Sequence, residues 1–107
     1  MQPLTSSQAK YLRGLAHLLK PVVFVGRKGV NAAVLESIRE ALAAHELIKV
    51  RFADVQDRRV LAEAAAEVQQ ETDSCLAGVI GRVAVFYRPQ PEPEKRKILL
   101  PRGSSGR

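Results

Sequence analysis

Apolar residues recur at helical spacing in three stretches of the chain. Thr5-Ser6-Ser7-Gln8 has the form of a capping box, so the first helix is predicted to begin there, and Pro21 is expected to end it. Asp57 is placed to cap the third helix. The apolar stripes are Leu12, Leu15, Ala16 and Leu19 in the first helix, Val34, Leu35, Ile38, Ala41 and Leu42 in the second, and Leu61, Ala64, Ala65 and Val68 in the third.

Two shorter runs between these helices have the composition of β-strands. Residues 22–25 are β-branched and aromatic, which is typical of a buried strand. Residues 47–52 pass from continuous apolar character into alternation, which places Lys49 and Arg51 on one face of the strand.

The last two apolar runs predict a tight antiparallel hairpin. Residues 75–80 and 83–87 are separated only by Gly81-Arg82, and Gly81 supplies the turn. The element order is therefore αβαβαββ, in which the strand–helix–strand steps imply parallel pairing and the hairpin adds an antiparallel pair. We predict an α/β fold: a single-domain, two-layer sandwich with a four-stranded mixed sheet.

The 107 residues are enough for one domain and too few for two independent cores. We place this domain at residues 1–88, extending to about 102, followed by a proline-rich, basic tail over residues 89–107. Within the tail, Ile98-Leu99-Leu100 is expected to form a short edge strand or to dock on the sheet. Residues 103–107 are left out of the fold prediction.

Basic residues are segregated along the chain, which has a net charge of +6. Residues 1–35 carry five bases and no acid, residues 36–73 hold nine acids against five bases, and residues 74–107 hold seven bases against two acids. Segregated charge builds a field that attracts one sign of partner, so the pattern fits a polyanionic partner and an uneven surface without a partner equally well.

The motif Gly26-Arg27-Lys28-Gly29 lies between a predicted strand and a predicted helix. Glycines let the backbone approach a phosphate closely, helix-start amides favour an anion, and Arg27 and Lys28 supply charge. A nucleotide P-loop needs Lys-Ser or Lys-Thr after its second glycine, whereas Val30-Asn31 follows here. Taken alone, the tetrapeptide favours an ordinary strand–helix turn with two exposed bases over a phosphate-binding loop.

A basic stripe leads directly into this loop. Lys10, Arg13, His17 and Lys20 recur at helical spacing and fall on one arc, and Pro21 and one short strand separate them from the loop. The stripe and the loop are therefore expected to form one surface, on which about five bases meeting phosphates give a salt dependence with a log–log slope of roughly −3 to −4.

No set of residues suggests a catalytic, metal or cofactor site. Cys75, His17 and His45 are too few for a closed zinc site, and Cys75 is expected to be a small core residue. His45 is expected to stabilise a helix C-terminus. The chain has five aromatic residues and no Trp, so base stacking is expected to contribute less than backbone contacts. With no membrane-length apolar run and a single cysteine, we expect a cytoplasmic protein that does not contact a membrane. Because no residues form a candidate catalytic site, we also expect no catalytic activity.

Taken together, the motifs resemble the CRM domain family, for chloroplast RNA splicing and ribosome maturation, in its stand-alone bacterial YhbY-type form. The resemblance covers residues 4–102. Its motifs are Leu12-Arg13-Gly14-Leu15-Ala16-His17, Leu19-Lys20-Pro21-Val22-Val23, Gly26-x-x-Gly29, His45-Glu46-Leu47-Ile48-Lys49-Val50, Val79-Ile80-Gly81-Arg82 and Tyr87-Arg88-Pro89.

The resemblance implies a fold similar to the C-terminal domain of translation initiation factor three. It also implies RNA binding through the loop of Gly26, Arg27, Lys28 and Gly29, and association with precursors of the large ribosomal subunit. We therefore expect a monomeric accessory factor that binds large-subunit ribosomal RNA, or particles containing it, with the further contacts Lys10, Arg13 and Lys20. Arg82, Arg88 and the cluster Lys95 to Lys97 are candidates for a second contact. A splicing or general RNA chaperone, and a protein-interaction module with an acidic partner, remain alternatives.

Overall fold

The computed structural model describes residues 3–53, 55 and 57–102. The three helices are α1 (Ser6–Ala16), α2 (Ala32–His45) and α3 (Arg58–Thr72), and the four strands are β1 (Val23–Val25), β2 (Leu47–Phe52), β3 (Cys75–Ile80) and β4 (Val83–Tyr87). A single 3₁₀ turn, Pro93–Lys95, follows β4. The predicted order αβαβαββ and the four-stranded mixed sheet are confirmed.

Side-chain caps set the start of each helix. Thr5 and Gln8 form the predicted capping box, with the Gln8 amide donating to Thr5 Oγ1 at 3.2 Å and the Thr5 amide donating to Gln8 Oε1 at 3.1 Å. Asn31 caps α2 and Asp57 caps α3 in the same way, through their side-chain oxygens. One boundary differs from the prediction, because α1 ends at Ala16 rather than continuing to the proline.

The strands lie in the order β1-β2-β4-β3. β1 pairs parallel to β2, as a strand–helix–strand unit requires, and β2 and β3 both pair antiparallel to β4. The hairpin between β3 and β4 turns at Gly81, whose φ of +61° is the left-handed conformation that glycine adopts without strain. The register shifts between Leu76 and Gly78, where β3 carries a bulge.

Helices cover both faces of the sheet, so the sheet is the middle of three layers rather than half of the predicted two-layer sandwich. α2 and α3 pack on one face around a core that includes Ile38, Val50 and Phe86. α1 packs on the other face, where Leu12 and Ala16 contact a smaller cluster of sheet residues. The third layer exists because both faces are apolar: β4 points Phe86 to one side and Tyr87 to the other.

The segment after β4 docks on the domain without adding a strand. Ile98 and Leu100 pack against the cluster beneath α1, and Gln8 Nε2 donates to the carbonyl of Pro101 at 3.0 Å. Glu46, buried between α2 and β2, accepts backbone hydrogen bonds from Gln90 and Lys97, each at 2.7 Å. Residues 103–107, excluded from the fold prediction, lie outside the described residues. None of the three helices described has the length and apolar character needed to span a bilayer.

Candidate nucleic-acid interface

The loop between β1 and α2 is a tight, glycine-flanked turn. The Gly29 amide donates to the Gly26 carbonyl at 3.0 Å, and Gly29 has a φ of +71°, which a side chain would strain. This closure leaves Arg27 and Lys28 exposed at the tip of the turn. Asn31 then caps α2, whose first turn contains no acidic residue, so no carboxylate in that turn offsets the charge at the tip.

The hairpin turn between β3 and β4 lies at the same end of the strands as this loop, and we call this end of the sheet the loop edge. The Ala53 amide donates to the carbonyl of Val25 at 2.9 Å, and the Phe52 amide donates to the carbonyl of Arg82 at 2.8 Å. Arg82 Nη1 reaches the Ala53 carbonyl at 3.4 Å. Because these bonds join the ends of β1 and β2 to the hairpin, Arg82 lies on the loop edge, a placement that the sequence left open.

The predicted stripe on α1 does not stay together. Arg13 and His17 line an open groove of about 260 Å³ on the sheet face, together with Lys49 and Arg51. Lys20 follows the end of α1 and lines a separate groove. Because the helix ends at Ala16, the helical spacing that grouped the four residues no longer applies at Lys20.

The four residues of the predicted stripe also differ in their exposure to solvent. Lys10, His17 and Lys20 are exposed. Arg13 is half-buried, and its Nη1 donates to the carbonyl of Ala77 at 2.8 Å, so part of its hydrogen-bonding capacity serves the fold.

The other candidate cations lie at the opposite end of the sheet. Arg88 follows the last residue of β4, and its guanidinium donates to the carbonyls of Thr72 at 2.9 Å and Arg39 at 3.3 Å. Lys97 Nζ donates to a carbonyl near the end of α2, and Lys95 pairs with Glu92 at 3.0 Å. The structure therefore does not bring Arg88 or the cluster Lys95 to Lys97 to the loop.

Sequence reasoning missed one group of residues on the sheet face that carries α1. Phe24, Arg51, Val83 and Ile80 occupy one cross-strand row, because Phe24 pairs with Arg51, Arg51 with Val83, and Val83 with Ile80. Phe24 was expected in a buried strand, yet 62% of its surface is exposed. The predicted alternation, which places Lys49 and Arg51 on one face of β2, is confirmed. Two basic residues on this face were the one sequence pattern that indicated its partial exposure to solvent.

The described residues show no arrangement suited to metal binding, and the single cysteine is buried. No group of three or more His, Cys, Asp or Glu side chains in this part of the chain is placed to hold a metal ion. Cys75 is buried, as expected, and burial raises the pKa of its thiol, which keeps it protonated near neutral pH. The chemistry that the loop edge offers is attraction of an anion by exposed cations.

Comparisons with known proteins agree with this picture. The model of the CRS1/YhbY (CRM) domain matches residues 4–88. An RNA-binding protein of Haemophilus influenzae is 41% identical over 102 residues, which cover 95% of this chain and 99% of that protein. The protein YqeI of Bacillus subtilis, named a probable RNA-binding protein, is 38% identical over 92% of this chain and 99% of its own length.

The fold also matches a solved structure. The solution structure of a Staphylococcus aureus protein, described as a candidate RNA-binding protein, superposes with a TM-score of 0.71 at 37% identity, covering 92% of this chain and 99% of that one. The family model spans most of the chain, and the relatives match it nearly end to end. The chain belongs to the CRS1/YhbY (CRM) domain family.

Proposed function

We propose that this protein binds RNA and serves as an accessory factor in assembly of the large ribosomal subunit, gripping the RNA backbone with the loop of Gly26, Arg27, Lys28 and Gly29. The observation that carries the proposal is the turn itself. Two exposed cations, Arg27 and Lys28, lie at the tip of a glycine-flanked turn. Arg82 lies at the same end of the sheet.

This geometry suits a phosphate better than a neutral ligand. A Gly26 Cβ would meet nothing within 4 Å, so the side of the turn at Gly26 is open for a backbone to approach. Cations on such a loop neutralise phosphates and release counterions, which provides affinity without sequence preference. Lys10, Arg13 and Lys20 are proposed as outlying contacts, with Arg13 the weakest because it also serves the fold.

Two observations support the choice of RNA as the partner and of ribosomal RNA as its class. The matched relatives are named RNA-binding proteins, which favours RNA over an acidic protein partner. The choice of large-subunit ribosomal RNA, or of particles containing it, rests on the resemblance noted in the sequence. In this proposal the protein acts as a cytoplasmic monomer, without a cofactor and without catalysis.

The loop assignment is tested by the double variant Arg27→Ala/Lys28→Ala against a charge-matched control, Lys95→Ala/Arg102→Ala, in the segment that follows β4. Both remove two positive charges. We expect the loop variant to lose about tenfold or more in affinity for a single-stranded RNA and to flatten the log–log salt slope by roughly 1.4, because two phosphate contacts are lost. Equal losses in the two variants would show that only net charge matters.

The RNA target is tested by ultraviolet crosslinking in living cells, followed by sequencing of the attached RNA. Enrichment of large-subunit ribosomal RNA, with crosslinks near Arg27 and Lys28, is the expected result. Scattered messenger or intron RNA would instead favour a general RNA chaperone. Protein complexes that survive ribonuclease, with no RNA above background, would favour a protein-interaction module.

A further inference from the structure

The sheet face that carries α1 is only partly covered by it. Moving toward the loop edge, the residues of β4 on this face are Tyr87, then Val85, then Val83, and only the first two are buried. α1 ends at Ala16 and its contacts with the sheet lie over the buried rows, so the row nearest the loop has no helix above it. We call this row, formed by Phe24, Arg51, Val83 and Ile80, the open row.

The open row combines an aromatic ring, a cation and aliphatic surface. Phe24 and Ile80 expose 62% and 61% of their surfaces, and Arg51 between them is also exposed. Phe24 and Arg51 are paired residues on neighbouring strands, so their side chains rise side by side about 5 Å apart. Scattered apolar residues are common on surfaces, but a row of three around a guanidinium is a patch that a partner would cover.

The charge and position of the open row favour a nucleic acid as that partner. The groove that adjoins the row is lined by Arg13, Lys49 and Arg51 and by no acidic residue among those that the structure describes, which suits a polyanion. The row is continuous with the proposed phosphate contact, because Val25, the residue after Phe24, leads directly into Gly26. A strand of RNA whose backbone lies on the loop is therefore within reach of this face.

We propose that the open row is a base-binding platform, on which an unpaired base of single-stranded RNA stacks on Phe24 while Arg51 holds the adjacent phosphate. Val83 and Ile80 extend the apolar floor under the neighbouring sugar or base. The proposal rests on the RNA binding proposed above and extends it from backbone to base. It adds one stacking contact to a chain whose few aromatic residues lead us to expect a smaller contribution from stacking than from backbone contacts.

The test uses a double-mutant cycle between protein and RNA. The protein variants are Phe24→Leu, which keeps apolar bulk but removes the aromatic face, and the control Tyr11→Leu, which removes an exposed aromatic ring from α1. The probes are a fluorescein-labelled ten-nucleotide oligouridine and the same sugar–phosphate chain without bases. Affinities are measured by fluorescence anisotropy, with circular dichroism melts to show that each variant is folded.

We expect Phe24→Leu to weaken oligouridine binding about fivefold or more, with the salt slope unchanged and with no effect on the abasic probe. Tyr11→Leu should bind both probes like the wild type. Arg51→Gln should weaken both probes and flatten the salt slope by roughly 0.7, as loss of one phosphate contact requires.

The two proposals fail in different ways. If Phe24→Leu binds oligouridine as tightly as the wild type while Arg27→Ala/Lys28→Ala loses affinity, the base platform is wrong and the loop proposal stands. An equal effect of Phe24→Leu on both probes would also overturn stacking. A wild-type protein that binds neither probe overturns both proposals.

Discussion

The side chain of Arg13 lies directly over Gly78. Its Nη1 donates to the carbonyl of the preceding residue, Ala77, and a Cβ added at Gly78 would stand 2.6 Å from Arg13 Cδ. The absence of a side chain at this position therefore lets α1 pack closely against β3. The contact also shows that Arg13, which is predicted to contact RNA because of its charge, has a structural role as well.

This contact predicts that Gly78→Ala destabilises the fold by about 1 to 3 kcal/mol, because the added methyl group displaces the arginine side chain. In an Arg13→Ala background the same substitution should cost much less, since the obstructing side chain is gone. Urea unfolding of the wild type, both single variants and the double variant measures the coupling. Strictly additive losses would mean that the two residues do not interact.

Glu46 holds the C-terminal segment from inside the domain. It is fully buried, and its two carboxylate oxygens accept the backbone amides of Gln90, Lys97 and Ile98 at 2.7 to 3.1 Å. Several donors converging on a buried carboxylate compensate for its lost hydration.

Removing this acceptor should loosen the segment that follows β4. We expect Glu46→Ala to lower the free energy of unfolding by about 2 to 4 kcal/mol and to speed hydrogen exchange at Lys97 and Ile98, because their amides lose their partner. Glu40→Ala, which removes an exposed carboxylate from α2, should change stability by less than about 0.5 kcal/mol. Unaltered exchange at the two amides would show that other contacts dock the segment.

The two loop glycines should respond differently to alanine. Gly29 has a φ of +71°, so Gly29→Ala is expected to cost about 1 kcal/mol of stability. Gly26 has no such φ and an added Cβ meets nothing within 4 Å, so Gly26→Ala should leave the melting temperature unchanged. If the backbone at Gly26 touches phosphate, its alanine variant loses RNA affinity while remaining stable. Wild-type affinity in that variant would rule out close approach at this position.

Stability should fall at alkaline pH. Burial, and then the nearby Glu46 carboxylate, raise the pKa of Tyr87 above 10.0, so the folded state favours the neutral phenol. This contribution is complete below pH 10 and is lost as pH rises from there through the folded pKa, because the unfolded chain releases the proton first.

The alkaline decline is measured by urea unfolding between pH 8 and about 11. Tyr87→Phe should flatten it, whereas Tyr11→Phe, at an exposed position, should not. Part of the decline should remain in Tyr87→Phe, since burial also raises the pKa of Cys75 above 9.0. A wild-type curve that stays flat to the upper limit would contradict the assignment.

Local signals predicted the elements well because caps and periodicity act over a few residues. The capping box at Thr5, the Asp57 cap and the hairpin turn at Gly81 all depend on neighbours within three positions, and all three are confirmed. The end of α1 was misplaced because Pro21 only sets an outer limit for a helix, whereas Leu19 donates its amide to Ala16 in a turn that ends the helix earlier.

The surface depended on contacts that no local pattern contains. Phe24 is of a residue type that is usually buried. It is exposed because α1 ends at Ala16 and does not cover the row in which Phe24 lies. Arginine is usually a surface residue, yet Arg88 donates hydrogen bonds to the carbonyls of Thr72 and Arg39, which are 16 and 49 residues away in the sequence. Arg82 joined the loop edge only once the strand order was known.

A single residue, Glu46, separates α2 from β2, and its φ of +64° makes the reversal between them. Strand side chains alternate with a period of two, so the phase of β2 is set at this joint. With one residue more or fewer at this joint, the side chains of Lys49 and Arg51 would point into the apolar core between the sheet and the helices α2 and α3. The length of this joint is therefore constrained, in addition to the identity of the residue that forms it.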